Sequence, residues 1–238
     1  MRRVMASGVV AMLGVALWVL PAGASAPSTS NGEAAKSATT ILADAKAATG
    51  ASSAVRVSGT VVKGGQRTTL NIVSARGGGG GTITTAGATL TIVVVPPNVY
   101  MKADKSSWTK LAKSAAAGQL FAGKWLQTTT ADANFGSFAQ LLDTGTLTQQ
   151  ITSSGKITKG PVTTFRGKQA VPLNDSSGNG GTLYVAATGT PYILGLAGTG
   201  AHKSSQIVFT QYGTAPVPNA PTTAISLAQL EQSAGSSQ

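Results

Sequence analysis

The chain has 238 residues, and its 18 Lys and Arg outnumber its 7 Asp and Glu, giving a net charge of +11. It contains no cysteine, which excludes a disulfide framework, thiolate chemistry and a cysteine metal site. Charged residues make up only 11% of the chain and hydrophobic residues 42%, which excludes wholesale disorder because disordered chains combine high charge with few apolar residues.

Residues 1–24 have the pattern of a signal peptide. Arg2 and Arg3 give a positive start, and the apolar run Val9–Leu20 is short for a membrane span. Small residues follow, and we expect cleavage after Ala24. An uncleaved anchor is the alternative. Either way, the protein is expected to leave the cytoplasm.

Three further regions complete the predicted organisation. Residues 25–34 are small and polar, which is typical of a flexible leader. Residues 35–232 are predicted to form one domain, since neither half alone contains both a sheet and its cover. Residues 233–238 are expected to be a disordered tail.

The domain is predicted to begin with a helix and a run of strands. Ala34–Thr49 is rich in helix formers, and Gly50 supplies a stop. The strand-like segments that follow are joined by connections too short for parallel crossovers, so they form an antiparallel meander. The glycine run Gly77–Gly81 is predicted to be a hairpin tip. The predicted strands are Ser53–Val62, Arg67–Arg76, Gly81–Thr85, Thr89–Val95 and Val99–Ala103.

Apolar residues recur at alternate positions of these strands, and alternate residues share one face of a sheet. A sheet with one apolar face must cover that face or use it to hold something. The residues predicted to line the face are Val55, Val57, Val61, Leu70, Ile72, Leu90, Ile92, Val94, Val99 and Met101.

The pattern then changes to helical spacing. Asp104–Leu126 is predicted to be helical, Asn134 is an N-cap candidate for a helix over Phe135–Asp143, and a further turn is expected around Leu147–Ile151. Their apolar stripes should lie over the sheet as a lid. The aromatic residues fit ordinary core packing and caps over a cavity equally well. The predicted lid residues are Trp108, Leu111, Leu120, Phe121, Phe135, Phe138 and Leu142.

Strand patterns return in the second half of the chain. The predicted strands are Ile157–Lys159, Val162–Leu173, Gly181–Ala187, Tyr192–Ala197 and Gln206–Tyr212. Ala215–Pro221 is expected to be an extended edge or linker, and Ile225–Leu230 a last helical turn or strand. The predicted lining from this half comprises Val171, Leu183, Val185, Ile193, Ile207 and Phe209.

Catalytic and metal chemistry find little support in the sequence. His202 is the only histidine and lies in a glycine-flanked turn, and no Gly-x-Ser-x-Gly motif is present. The segment Asp175–Gly180 lacks the alternating acids of a calcium loop. We therefore expect no enzyme activity, no cofactor and no metal.

The basic residues are dispersed rather than clustered with aromatics, which argues against nucleic-acid binding. The positive charge would favour an anionic membrane surface or wall polymer as a partner. A solvated surface that merely keeps the protein soluble explains the charge as well.

A series of short motifs, in order, resembles the LppX/LprG-like lipoproteins of actinobacterial envelopes. The resemblance extends from about Ala38 to Leu230. The motifs are Ala54–Gly59, Gly64–Gln66, Tyr100–Ala103, Ala122–Trp125, Gly155–Gly160, Gly167–Val171, Leu173–Asp175, Gly181–Val185 and Gly189–Tyr192.

The resemblance implies an α+β fold, with a strongly curved, LolA-like antiparallel half-barrel and helices covering its concave face. It also implies that the interior holds the acyl chains of lipids or glycolipids. Members usually carry a cysteine at the cleavage site that becomes lipid-anchored. Ala24 occupies that position here, so the protein is expected not to be lipid-anchored.

The leading hypothesis is an exported, non-catalytic and monomeric protein that binds lipid or glycolipid acyl chains in a hydrophobic cavity, carrying them through the cell envelope. The alternative is an exported structural or interaction protein whose half-barrel is filled by its own side chains.

Overall fold

The computed structural model describes residues 29–133, 135–151, 155–177 and 180–229. The predicted signal peptide, the N-cap candidate Asn134 and the predicted tail lie outside the described residues.

The fold begins with a helix, α1, over Ala38–Ala51. The Ser37 hydroxyl accepts a hydrogen bond of 3.2 Å from the backbone N–H of Thr40, which caps the helix. Ile41 and Ala45 are fully buried on one side of α1, at the spacing of an amphipathic helix.

One large sheet forms the body of the domain. Its strand order is β13-β6-β5-β4-β3-β2-β1-β12-β11-β10-β9-β7, with β8 also paired to β9. The strands are β1 (Ala54–Lys63), β2 (Gln66–Ala75), β3 (Gly78–Thr85), β4 (Ala88–Val95), β5 (Asn98–Lys102), β6 (Trp125–Thr129), β7 (Ile157–Lys159), β8 (Thr163–Phe165), β9 (Lys168–Asp175), β10 (Gly181–Ala186), β11 (Ile193–Gly198), β12 (Gln206–Thr210) and β13 (Ile225–Ser226).

Two meanders make up this sheet, the first formed by β1–β6 and the second by β7–β12, and they join at a single seam. Arg56–Thr60 of β1 pairs with Gln206–Thr210 of β12. Neighbouring strands are antiparallel, except that the short β13 runs parallel to β6. The path ends at β13 on one side and β7 on the other, so the sheet is open. The predicted α+β half-barrel is confirmed.

Four short helices cover the inner face of the first meander. They are α2 (Lys105–Ala112), α3 (Ala115–Phe121), α4 (Gly136–Leu142) and α5 (Thr144–Gln149). The predicted continuous helix over 104–126 is wrong. Lys113 takes a left-handed conformation (φ 51°) and Ser114 caps a new helix, so the direction of the chain changes there.

Of the predicted hairpin tip Gly77–Gly81, only Gly77 lies in the β2–β3 turn, and Gly78–Gly81 lie inside β3. A Cβ on Gly79 would lie 2.9 Å from the carbonyl oxygen of Leu142, on the inner face. On the outer face, a Cβ on Gly80 would lie 2.6 Å from the Ile92 oxygen and 2.7 Å from Cγ of Pro218. The glycines therefore let a helix end and a C-terminal segment approach the two faces of one strand.

Both ends of the described chain pack on the sheet. The Asn31 side chain donates hydrogen bonds to the carbonyls of Ala186 (2.9 Å) and Gly189 (3.0 Å). Glu33 is only 2% exposed and lies 2.7 Å from Nζ of Lys36. The segment predicted as a flexible leader thus ends within the packed domain.

The C-terminal segment crosses the outer face toward β13. Ala215 is buried there against Ala54, Val73 and Ala75. The region predicted as an edge or linker, Ala215–Pro221, thus covers part of the first meander.

Asp143 connects α5 to the β2–β3 turn. Its carboxylate accepts hydrogen bonds from the backbone N–H groups of Thr146 (3.0 Å) and Gly77 (2.9 Å). Burial pushes the pKa of Asp143 upward, but these hydrogen bonds outweigh burial and hold the pKa below its usual range. The charged form therefore stabilises this junction.

Tyr212 lies at the start of the C-terminal segment. Its ring stacks on Tyr192 with centroids 3.9 Å apart, and its hydroxyl donates a hydrogen bond to the carbonyl of Ile193. Burial raises the pKa of the Tyr212 phenol above its usual range, so the neutral form is favoured.

Candidate functional site

A cavity of about 650 Å³ opens on the inner face of the second meander. It lies among α1, the end of β1 and strands β7 and β9–β12. Its volume is in the range of ligand pockets, which are typically about 300–1,000 Å³. The apolar side chains at its wall are Leu42, Val61, Ile151, Ile157, Leu173, Leu183, Leu196 and Ile207.

Strand register creates the largest apolar part of this wall. Leu183 lies opposite Leu173 of β9 on one side and Leu196 of β11 on the other. Leu196 in turn lies opposite Ile207 of β12. Cross-strand neighbours share a face, so these four side chains form one continuous row.

The row is interrupted at the seam, where Gly59 of β1 lies opposite Ile207. Gly59 has φ 146°, and a Cβ there would lie only 2.0 Å from the carbonyl oxygen of Gln206. Beyond the gap, the row resumes with Leu70 and Ile83 on β2 and β3. The missing side chain thus leaves a gap in the row at the seam.

Polar groups lie around the mouth of the cavity, namely Lys63, Asp175, His202 and Ser205. Nδ1 of His202 is 3.1 Å from the carbonyl oxygen of Val62, and the Ser205 hydroxyl accepts a 2.8 Å hydrogen bond from the Val62 N–H. These contacts fasten the β11–β12 connection to the end of β1. An apolar interior beneath a polar mouth suits an amphiphilic molecule.

Among the described residues, no group of three His, Cys, Asp or Glu side chains could hold a metal ion. No helix in the described part of the chain is long and apolar enough to cross a membrane.

Only three of the predicted ligand-binding residues lie at the cavity, namely Val61, Leu183 and Ile207. Most of the others belong to one packed core cluster, and Leu70 lies half-buried against it. The predicted residues in that cluster are Val55, Val57, Ile72, Leu90, Ile92, Val94, Val99 and Met101 from the first meander, and Val171, Val185, Ile193 and Phe209 from the second.

The predicted lid residues divide in the same way. Trp108 and Leu142 are buried, and Trp108 meets Phe121 edge-on with ring centroids 6.1 Å apart. Phe121, Phe135 and Phe138 are half-buried against the core. Together these side chains fill the inner face of the first meander.

Leu111 and Leu120 do not join the lid, because they are 40% and 53% exposed. On α2, Trp108 is buried and Leu111 is not, and the helix break after Ala112 changes the phase of the apolar stripe for α3. Instead, Gly118 is the buried residue of α3, and a Cβ there would lie 2.0 Å from the Thr109 hydroxyl oxygen. The close packing of α2 on α3 leaves Leu120 in solvent.

Sequence reasoning missed five apolar wall residues: Leu42, Ile151, Ile157, Leu173 and Leu196. Leu173 could have been found, because it falls in phase with Val171 on the same predicted strand. Leu42 lies on α1 and Ile151 is the second residue after α5, and no local pattern predicts that they face the same space.

No protein-family model matches the chain, and no curated protein sequence matches it. The fold is similar to that of LprF from Mycobacterium bovis, at 12% identity and a TM-score of 0.46 over 76% of this chain and 96% of LprF. It is similar to the lipoprotein LppX of Mycobacterium tuberculosis, at 13% identity and a TM-score of 0.46 over 76% of this chain and 98% of LppX. An uncharacterized conserved protein from Thermus thermophilus is similar at 9% identity and a TM-score of 0.42, over 80% of this chain and 98% of that one.

These likenesses concern the fold alone.

Proposed function

We propose that this protein is a non-catalytic binding protein for the acyl chains of a lipid or glycolipid, held in the cavity of the second meander. The observation that carries the proposal is the continuous row Leu173, Leu183, Leu196 and Ile207, which borders about 650 Å³ of space. Leu173 and Leu183 are buried where the row meets the core cluster, whereas Leu196 and Ile207 are half-buried.

Burial of an acyl chain against this row supplies the driving force. Each buried methylene contributes about 0.8 kcal/mol, so even a partly inserted chain offsets several kcal/mol of lost motional freedom. The polar mouth allows a headgroup to remain in water while the chain is inside.

The alternative function, a structural or interaction protein with a self-filled half-barrel, is favoured by the first meander. Ile72, Ile92, Val99 and Met101 are fully buried there by the protein's own side chains and helices. In this alternative, the open space in the second meander would bind no lipid.

A binding titration with matched variants tests the proposal. Protein stripped of lipid by organic extraction and refolding is titrated with a fluorescent C16 fatty acid and with a fluorescent lysophospholipid. Leu196→Asp introduces a charge into the cavity wall, and Leu120→Asp introduces the same change at an exposed site.

Wild type and Leu120→Asp are expected to bind equally, and Leu196→Asp at least tenfold more weakly, because a carboxylate strongly disfavours an apolar site. Native mass spectrometry of freshly purified protein should show an added lipid mass in wild type that is missing in Leu196→Asp. If wild type binds neither probe, the self-filled alternative is preferred. Loss of binding in Leu120→Asp would place the site beneath the helices instead.

We also propose that the protein is exported to the envelope without a lipid anchor. The support is the signal-like pattern of residues 1–24 and the alanine at position 24. N-terminal sequencing of the native protein is expected to begin near Ser25, and an acylated N-terminus would contradict the proposal.

A further inference from the structure

A second recess, of about 640 Å³, lies on the outer face of the sheet across the β1–β12 seam. Ser58, Thr60, Val208 and Thr210 line it, and they alternate along their strands with the inward-facing residues. We call it the outer groove. Because it lies on the opposite face from the cavity, a ligand in one does not exclude a ligand in the other.

Packed aromatic and apolar side chains form the floor of the outer groove. Phe165 stacks on Tyr184 with centroids 4.2 Å apart, and both pack with Leu194 and Val208 in a small apolar cluster. A Cβ on Gly195 would lie 2.7 Å from the Phe165 ring, so glycine at this position lets the ring lie flat on the sheet. This packing fixes the β8–β9 hairpin beside the groove.

Three cations surround the groove, and none of its lining residues is acidic. Arg67, Arg166 and Lys168 are all exposed. Within the described residues, the ion pairs are those of Lys36 with Glu33 and with Asp44, and neither involves a residue of the outer groove. The Arg166 guanidinium donates a hydrogen bond to the neutral side chain of Gln206. The three positive charges are thus available to an anionic ligand.

The position of Arg166 is itself unusual. It forms the two-residue turn of the β8–β9 hairpin with Gly167, at φ 47° and 79° respectively. Such turns favour Asn, Asp or Gly, and a left-handed conformation is unfavourable for an arginine. This turn places the Arg166 guanidinium at the edge of the groove. A guanidinium group is suited to binding phosphate and carboxylate groups because it presents several hydrogen-bond donors in one plane.

We propose that the outer groove binds a polyanionic chain that carries repeated phosphate or carboxylate groups, such as an acidic envelope polysaccharide. Charge complementarity identifies the class of ligand, and hydroxyl groups at Ser58, Thr60 and Thr210 add neutral hydrogen-bonding groups along the floor. A recess accommodates a chain better than a flat bilayer, and the apolar groups Phe165 and Leu194 are buried and cannot insert into a membrane.

The full-length mature protein is tested in three arms, with polygalacturonate, inorganic polyphosphate, and vesicles of phosphatidylglycerol and phosphatidylcholine. Arg166→Asn with Lys168→Gln removes two charges, and asparagine suits the turn, so the fold is not weakened. The control is Lys113→Asn with Lys105→Gln on α2. It removes the same charge and likewise places asparagine at a left-handed residue, φ 51°.

Wild type is expected to bind at least one of the two polymers. The affinity of the groove variant should be at least tenfold weaker, since each exposed charge contributes up to about 1 kcal/mol. The affinity of the control variant should lie within about twofold of wild type. The affinity should fall as salt increases. The polymer that binds identifies the anionic group. Equal losses of affinity in the groove and control variants would mean that net charge alone determines binding, which would overturn the proposal. Binding to vesicles alone, or to none of the three ligands, would also overturn it. Fatty-acid binding serves as an independent readout and is expected to be unchanged in the groove variant.

Discussion

The substitutions Ile207→Trp and Ile92→Ala test whether the lipid binds in the cavity or in the packed core. Ile207 is half-buried and faces the open space, whereas Ile92 is fully buried among its neighbours in the core. Ile207→Trp adds volume to a side chain that borders the cavity. Ile92→Ala removes volume from a filled core and leaves a void there. Their effects on binding and on stability should therefore be opposite.

The magnitudes follow from the two environments. Tryptophan at position 207 that displaces about three methylenes of a bound chain costs about 2.4 kcal/mol, or about fiftyfold in affinity. It should leave the melting temperature nearly unchanged, since it forces no rearrangement of a filled core. Ile92→Ala should cost about 2–5 kcal/mol of unfolding free energy and lower the melting temperature by about 5–15 °C, with affinity unchanged below the transition.

Both quantities are measurable on the same samples, by circular dichroism melting and by titration with a fluorescent fatty acid. The reasoning is refuted if Ile207→Trp binds as wild type does while Ile92→Ala loses binding. That result would mean that lipid lies under α2–α5, among residues that the structure shows packed.

Three further predictions concern the scaffold. Gly80→Ala should lower the unfolding free energy by about 2–3 kcal/mol in urea titrations, because its Cβ would clash with the Ile92 carbonyl oxygen and the Pro218 ring on the outer face. Gly64→Ala, with open space around its Cβ, should cost only about 1 kcal/mol. Asp143→Ala should cost about 1 kcal/mol at neutral pH, and since the folded state lowers the Asp143 pKa, the difference from wild type should shrink as the pH falls below about 4. Tyr212→Phe should cost about 1 kcal/mol at neutral pH, and since burial raises the Tyr212 pKa, the difference should shrink as the pH rises above about 10. Persistence of either difference at those pH extremes would contradict the corresponding assignment.

Alternation in the sequence was enough to predict the shared face of the first meander. Val55 and Val57 on β1, Ile72 on β2, and Ile92 and Val94 on β4 all lie in one core cluster. The period-two pattern succeeds because each of these strands follows its neighbour closely along the chain, so short turns leave little freedom in their order.

The position of the cavity could not be predicted in this way. It depends on the pairing of β1 with β12, where Gly59 meets Ile207 across almost 150 residues of intervening chain. No local pattern encodes that register. The glycine run was misinterpreted for a related reason. Flexibility is a local property of Gly78–Gly81, but the close approach of Leu142 and Pro218 is a tertiary one.

The two meanders share one sheet but have different covers, and this difference explains where a ligand fits. The first is covered inside by α2–α5 and partly outside by the C-terminal segment, so its apolar residues are already matched. Over the second, α1 is the main helix, and it contacts β7, β10 and β11. Strand register sets the row of leucine and isoleucine on this meander, but no helix covers the whole row. Apolar surface in the row can therefore still be buried by a ligand. The cavity beside the half-buried Leu196 and Ile207 therefore has room for a chain that the protein does not itself supply.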